Sequence, residues 1–234
     1  MDIVIYIYNG LTALDAVGAY EVLSRLPKAN VKFVGEQKGV IVSDTHFLKL
    51  FAEYDIASID RADILVVPGS TVGFIREIKK PAVLAWMAKI HETTSWTTSV
   101  CTGSIILAAA GVLDGLEATS HWAAIHLLKD YDVQPKLERF VQQGKVITAQ
   151  GVSAGIDMSL HLVSQIVGED KARAYQLAIE YFPAPPLGIQ EIDQVDEPTR
   201  KLAQKIMAAD ARKDLSIMEI VRNAQKLLKL QRGK

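Results

Sequence analysis

Cys101 is the residue of this chain whose surroundings best suit covalent chemistry. The β-branched and small residues 95–100 give way at Cys101 to the Leu- and Ala-rich residues 103–110, a change typical of a strand followed by a helix. A side chain on such a turn projects above the carboxyl edge of a parallel sheet, where ligands bind in open α/β folds. The first free N–H groups of the helix would stabilise a thiolate relative to an ordinary thiol. The sequence therefore predicts a nucleophile, and the alternative is a free cysteine that acts only as a small buried apolar group.

Three other loops are expected at the same edge of the sheet. They are the loop before Asp15, the Gly69-Ser70 turn and the loop at Gly151, and a parallel sheet brings them together. Beside a thiolate, an Asp15 carboxyl kept protonated by burial can donate a hydrogen bond to sulfur and exchange a proton. The Gly69 and Ser70 N–H groups can stabilise developing negative charge. Each feature also has a structural explanation, since Asp15 would complement a helix dipole and Pro-Gly-Ser is a common turn.

His121 is the candidate partner for a cysteine–histidine pair. An equal alternative is a histidine that only packs beside Trp122 at the start of a helix, because the sequence does not set its distance from sulfur. The other histidines show no metal-ligand spacing such as HExxH, and there is no second cysteine. The chain also lacks G-x-G-x-x-G after its first strand and a phosphate loop ending in Gly-Lys-Ser/Thr. We therefore expect no metal and no nucleotide cofactor.

Length, charge and cysteine content narrow the class of protein further. A chain of 234 residues with 49% hydrophobic residues can fill one sizeable core. Its 26 basic and 27 acidic residues leave a net charge of -1, which favours neither nucleic acid nor acidic membranes as partners. A single cysteine excludes an intrachain disulfide. Residues Met1–Val4 show no charged leader, and no apolar run is nearly long enough to span a membrane. We expect a cytoplasmic protein.

Strand and helix patterns alternate along the chain. This alternation predicts a doubly wound α/β fold with a mainly parallel sheet and helices on both faces. Strands are expected at 3–8, 31–34, 40–42, 48–50, 63–67, 95–100, 139–141 and 146–148, the last two as a hairpin around Gly144. Helices are expected after Thr12, from about 72, at 81–91, at 103–110, after Trp122, and at 156–167, 171–181, 198–211 and 217–230. No linker divides the chain, so we expect one domain over residues 1–234, with a helical extension from about 198.

Several motifs of this chain resemble the ThiJ/PfpI superfamily, a glutamine-amidotransferase-like group. Within that superfamily the chain is most similar to the isocyanide (isonitrile) hydratases, over nearly its whole length. The more discriminating marks are the Cys-Thr-Gly elbow and an aspartate where most of the superfamily has glutamate. The motifs are Ser99-Val100-Cys101-Thr102-Gly103-Ser104, Leu14-Asp15 with Gly18, Pro68-Gly69, Ala118-Thr119-Ser120-His121-Trp122, residues 151–157, and Glu180-Tyr181-Phe182-Pro183-Ala184-Pro185-Pro186.

The resemblance implies a flavodoxin-like sandwich, a homodimer and the cofactor-independent hydration of isocyanides to N-substituted formamides. Cys101 would be the nucleophile, Asp15 the acid/base, and Thr102 a neighbour that shapes the elbow. Residues expected to bind substrate are Gly69, Ser70, His121, Trp122 and Gly151. The chain departs from the family at Ser70, where the family turn has a second glycine. Ser70 keeps a backbone N–H but tolerates fewer conformations, which bears on substrate choice more than on the chemistry.

Three other functions are compatible with the same fold. The first is a hydrolase or glyoxalase-like enzyme that uses Cys101 with His121. The second is a non-enzymatic sensor of oxidative stress in which Cys101 is oxidised to a sulfinic acid. The third is a transcription regulator, but only about 35 residues follow Pro198, too few for a separate DNA-binding domain.

Overall fold

A seven-stranded sheet forms the centre of the structure, a computed structural model that describes residues 1–189 and 191–213. The strands of the described chain are β1 (Asp2–Tyr6), β2 (Asn30–Gly35), β3 (Gly39–Val42), β4 (Lys49–Ala52), β5 (Tyr54–Asp55), β6 (Ile64–Val67), β7 (Trp96–Val100), β8 (Glu117–Ala118), β9 (Gln134–Pro135), β10 (Phe140–Gln143) and β11 (Val146–Ala149). The central order is β10-β11-β7-β6-β1-β2-β5, and within it only the β10–β11 hairpin is antiparallel. The predicted mainly parallel sheet is confirmed.

Helices surround the sheet in two groups. The α-helices up to residue 178 are α1 (Ala13–Leu23), α2 (Phe74–Glu77), α3 (Pro81–Thr93), α4 (Gly103–Ala109), α5 (Ala154–Val167) and α6 (Glu169–Ala178). Helix α5 packs against α1 and α6, whereas α4 packs against α2 and α3. The predicted doubly wound α/β architecture is therefore confirmed.

The core strands are buried along their length. Every residue of β6 and β11 is buried, and so are the last four residues of β1. A strand covered by helices on both faces needs apolar residues at consecutive positions, which explains the continuous rather than alternating hydrophobic runs.

The order of the strands reverses at β1. Strand β2 lies on one side of β1, and β6 follows on the other side with β7 beyond it. Ile5 of β1 pairs with Val66 of β6, and Val67 pairs with Ser99 of β7. The three strands therefore end side by side at one edge, and the loops that leave them meet there. Ligand sites in open α/β sheets lie at such a reversal.

Some elements differ from the expected ones. Strands β5, β8 and β9 were not predicted, because strands of two residues carry no hydrophobic period. The helix expected after Trp122 is a 3-10 helix, Ile125–Asp130, in which the Leu127 N–H bonds to the Ala124 carbonyl three residues earlier. Strands β3 and β4, predicted as short strands, pair with each other in a separate antiparallel sheet.

The C-terminal part of the described chain is helical over residues 197–213, which confirms the helix expected at 198–211. The helix predicted at 217–230 lies outside the described residues. The single-domain organisation of residues 1–234 therefore stays a prediction. Within the described ranges, no helix is both long and apolar enough to cross a membrane.

Candidate active site

Cys101 occupies a strained turn between β7 and α4. Its φ is +57°, in the left-handed region that residues other than glycine rarely adopt. The Cys101 N–H donates to the Ala149 carbonyl at 3.0 Å, and the Cys101 carbonyl accepts from the hydroxyls of Ser104 at 3.2 Å and Ser120 at 3.1 Å. Three hydrogen bonds from neighbouring elements therefore hold the strained residue in place. Such strain is typical of functional sites.

Two glycines leave the room that this turn needs. A Cβ atom on Gly103 would lie 2.0 Å from the Val67 carbonyl oxygen, a distance that no side chain tolerates. A Cβ on Gly69 would lie 2.4 Å from the Thr102 backbone nitrogen and 2.9 Å from Cys101 Cβ. The small residues of the two loops are therefore required by close backbone approach.

Thr102 joins the Cys101 turn to the loop after β6. Its hydroxyl accepts a hydrogen bond from the Ser70 N–H and donates one to the Ser70 carbonyl, both at 2.8 Å. The neighbouring Gly69 N–H donates to Asp15 Oδ2 at 2.9 Å. Both N–H groups expected to stabilise developing charge on a substrate are thus already used inside the protein. This corrects the expectation that Gly69 and Ser70 present free donors.

Asp15 is fully buried in the first turn of α1. Its Oδ2 atom accepts the Gly69 N–H, whereas Oδ1 is buried without a hydrogen-bond partner. Burial raises the pKa of Asp15 to about 7, the Gly69 hydrogen bond opposes the shift, and the Asp44 charge adds to it. The carboxyl therefore changes protonation near neutral pH, as an acid/base group must.

The Cys101 thiol is 4% exposed, and its pKa is raised well above the ordinary value. Burial is the largest cause, and the negative charge of Asp15 is the next. The Thr102 backbone N–H favours the thiolate but does not offset these two effects. The N–H group at the start of α4 lowers the thiol pKa as predicted, but burial outweighs it, so the net shift is upward.

His121 lies in the same cavity as Cys101 but does not bond to its sulfur. Within residues 1–189 and 191–213, the hydrogen bond of the His121 ring is made by Nδ1, which accepts the Ala123 N–H at 3.3 Å. Burial lowers the pKa of His121, so the ring is neutral with its proton on Nε2. A cysteine–histidine ion pair is not formed in this arrangement.

A cavity of about 400 Å³ opens at Cys101. Polar groups lie on the side of the strand ends, and apolar side chains form the rest of the wall. The lining residues are Thr12, Asp44, Ser70, Thr71, Phe74, Ile75, Cys101, Thr102, His121, Ala123, Ala124, Leu127, Val152 and Met207. Asp15 is not among these lining residues.

The remaining expected substrate-binding residues stand at the edge of the site. The Trp122 ring lies 5.7 Å from the His121 ring, and a Cβ on Gly151 would lie 4.0 Å from His121 Cδ2. Neither Trp122 nor Gly151 is part of the cavity lining, although Val152 is. Both residues therefore border His121 rather than the cavity.

Asp44 and Met207 belong to the site and were missed by sequence reasoning. Asp44 follows β3, and its Oδ2 accepts the Thr12 hydroxyl at 2.7 Å and the Thr71 hydroxyl at 3.5 Å. Met207 lies in the helix at 197–213, more than 100 residues after Cys101. Neither residue lies in a recognisable motif, so only the tertiary structure reveals them. No cluster of three or more potential metal ligands occurs within the described ranges.

Known proteins resemble this chain in both sequence and structure. The chain is 36% identical to the isonitrile hydratase of Pseudomonas putida over 199 residues, which cover 82% of this chain and 86% of the relative. It is 37% identical over 94 residues to the HTH-type transcriptional regulator CdhR of Pseudomonas aeruginosa, but this match covers 39% of this chain and 28% of the regulator.

A solved structure of a ThiJ/PfpI family protein from Pseudomonas syringae superposes with a TM-score of 0.85. It is 30% identical, and the match covers 91% of this chain and 88% of that protein. The model of the DJ-1/PfpI family matches residues 1–165, which include Asp15, the Gly69-Ser70 turn and the Cys101 elbow. These matches show that the chain belongs to the DJ-1/PfpI family.

Proposed function

We propose that this protein hydrates isocyanides to N-substituted formamides. The observation that carries the proposal is that Cys101, on a strained turn at a cavity, interacts electrostatically with the buried Asp15, whose pKa is about 7. Similarity to an isonitrile hydratase over 82% of the chain supports the same reaction. The apolar part of the cavity suits the organic group of an isocyanide.

In the first step, Cys101 sulfur attacks the terminal carbon of R-N≡C. Because burial and Asp15 raise the thiol pKa, sulfur carries its proton at neutral pH and needs a base as it attacks. Asp15 Oδ1, which has no other partner, takes this proton and returns it to the former isocyanide carbon. The product is a thioimidate, R-N=CH-S-Cys101, that contains every atom of thiol and isocyanide.

In the second step, water adds to the thioimidate carbon. One water proton passes to nitrogen, which gives the tetrahedral species R-NH-CH(OH)-S-Cys101. The C–S bond then breaks as the hydroxyl proton leaves, so that R-NH-CHO is released and the thiol is regenerated. His121 lines the cavity, and its Nε2–H can donate to a hydroxyl or water during this step. The net reaction consumes one water and needs no cofactor.

Two alternatives receive less support from the geometry. A hydrolase that relies on a cysteine–histidine pair needs a bond between His121 and sulfur, but Nδ1 accepts the Ala123 N–H instead. An oxidation sensor needs an accessible thiolate, whereas the Cys101 thiol is buried with a raised pKa. We further propose that the protein acts as a homodimer in the cytoplasm, where a single thiol stays reduced.

The proposal is tested with phenyl isocyanide and purified full-length protein. We expect N-phenylformamide from the parent protein, background formation from Cys101→Ala, and a loss of at least about 100-fold in Asp15→Asn. Mass spectrometry after acid quenching should also detect a covalent adduct, with the protein heavier by the mass of one isocyanide. Because Cys101 is the single cysteine, this adduct can be assigned to it. If folded, reduced parent protein makes no formamide above the level of Cys101→Ala, the proposed function is wrong.

A further inference from the structure

The helix at residues 197–213 supplies one wall of the Cys101 cavity. Met207 is its contribution to the lining, opposite residues that follow the central strands. Ala203, Met207 and Ala211 are partly buried at a spacing of four, so they share the face that meets the rest of the molecule. Leu202 and Ile206, on the other side, are 59% and 55% exposed. Met207 is therefore the large side chain that this helix presents to the site.

A second cavity lies beside the first and is bounded by the same helix. It has a volume of about 490 Å³ and is lined by Asp44, Thr45, His46, Phe47, Thr71, Asp210 and Lys213. Asp44 and Thr71 line both cavities, so the two spaces adjoin at these residues. Met207 lines the Cys101 cavity, and Asp210, about one turn later in the helix, lines the second cavity.

The segment that carries Met207 lies outside the family-wide part of the chain. The family match ends at residue 165 and contains every residue expected to act in the reaction. The polar side of the cavity is thus built by the shared fold, whereas this part of the apolar wall comes from a later segment. Segments added to a shared catalytic fold are where proteins of that fold can differ in substrate.

We infer that Met207 limits the size of the group that can stand beside Cys101 and thereby selects among substrates. An apolar wall discriminates by volume, and one extra or missing methylene in a hydrophobic pocket changes a rate by a factor of about 10 to 200. Shortening the Met207 side chain enlarges the Cys101 cavity, so that a larger group can stand beside the sulfur. The rates of small molecules, which already fit, should change little. For isocyanides as substrates, the inference rests on the proposed function.

Alkylation of Cys101 tests the inference without requiring turnover. N-ethylmaleimide and N-(1-pyrenyl)maleimide share one reactive group and differ in bulk, and the single cysteine makes whole-protein mass spectrometry specific for Cys101. We expect Met207→Ala to raise the rate with the pyrenyl reagent by about tenfold and the rate with the ethyl reagent by less than about twofold. Ile206→Ala, an exposed neighbour outside both linings, should change neither rate.

Turnover of a methyl-sized and a naphthyl-sized isocyanide provides the second measurement. Met207→Ala should raise kcat/KM for the larger substrate relative to the smaller one by about tenfold, chiefly through KM. Equal acceleration of both maleimides, no acceleration, or the same change in Ile206→Ala overturns the role of Met207. If the parent protein turns over neither isocyanide, the proposed function fails, and the maleimide ratio still decides whether Met207 limits access.

Discussion

The Thr102 hydroxyl holds both polar groups of the Ser70 backbone, accepting its N–H and donating to its carbonyl at 2.8 Å each. These two bonds cross between the loops that follow β6 and β7, and all of their atoms are buried. Thr102 thereby fixes the distance between the Cys101 turn and the Gly69-Ser70 turn. Since Gly69 also bonds to Asp15, the same contact positions the carboxyl relative to sulfur.

Replacing Thr102 by valine should therefore cost both stability and activity. Valine keeps the shape but leaves the buried Ser70 N–H and carbonyl without partners, at about 1–3 kcal/mol for each orphaned group. We expect a lower urea midpoint and a fall in formamide production. Thr102→Ser keeps the hydroxyl and should behave nearly as the parent. Equal midpoints for the valine and serine variants would contradict this role.

Gly69 and Gly151 form a matched pair for testing whether a Cβ atom at the glycine would clash with its neighbours. A Cβ on Gly69 would stand 2.4 Å from the Thr102 nitrogen, whereas one on Gly151 would meet only His121 Cδ2 at 4.0 Å. Gly69→Ala should push the two turns apart, at a cost of about 1–3 kcal/mol or more, and abolish activity. Gly151→Ala should have the same urea midpoint of unfolding as the parent protein. A Gly69→Ala protein as stable and active as Gly151→Ala would refute the steric explanation.

The position of Cys101 could be predicted because it depends on local signals. The consecutive apolar residues of β6 and β7 indicate buried parallel strands, and a parallel sheet places the loops after them at one edge. Ser99, Gly103 and Ser104 are small enough for a crowded turn, which indicates the elbow directly. The grouping of Asp15, Gly69 and Cys101 follows from this topology without knowledge of any side-chain contact.

What could not be predicted depends on contacts between distant segments. That the Gly69 and Ser70 N–H groups bond to Asp15 and Thr102 follows from rotamers and packing, which no spacing reveals. The direction of the Cys101 pKa shift depends on whether burial or the helix N–H groups have the larger effect. Only the structure shows how deeply the thiol is buried. Met207 reaches the cavity from a helix whose own sequence pattern indicates nothing about a site.

The raised pKa of Asp15 should make stability depend on pH. Between an unfolded pKa near 3.9 and the folded value of about 7, the folded protein binds a proton that the unfolded chain has lost. The free energy of unfolding therefore falls as pH rises through this window, by roughly 4 kcal/mol from this group at about 1.4 kcal/mol per pKa unit. Above pH 7 its contribution is constant.

Urea unfolding of the parent and Asp15→Asn at pH 5 and pH 8 measures this contribution. Asparagine has no proton to lose and keeps an oxygen for the Gly69 N–H, so the variant lacks the fall in stability that Asp15 causes. The variant should gain stability relative to the parent as pH rises. A difference between the two proteins that stays constant from pH 5 to pH 8 would show that Asp15 titrates near its ordinary value.

The charge of Asp15 should also control how fast Cys101 reacts with a maleimide, whose addition exchanges protons with solvent and needs no acid/base group of the protein. Maleimide addition follows the fraction of thiolate, and the Asp15 carboxylate lowers that fraction by raising the thiol pKa. Asp15→Asn should therefore react severalfold faster than the parent at pH 8. The ratio should approach one below pH 6, where the Asp15 of the parent is already protonated.

Asp44→Asn is the matched control, since Asp44 also raises the Cys101 pKa but is the smallest of the named causes. Asp44→Asn should raise the rate of Cys101 alkylation by N-ethylmaleimide less than Asp15→Asn does. The same Asp15→Asn substitution should slow isocyanide turnover, because that reaction needs the carboxyl to carry a proton from sulfur to carbon. Opposite effects on the two reactions separate the electrostatic role of Asp15 from its acid/base role. If the variant slows both reactions equally, the loss reflects a displaced thiol rather than missing proton transfer.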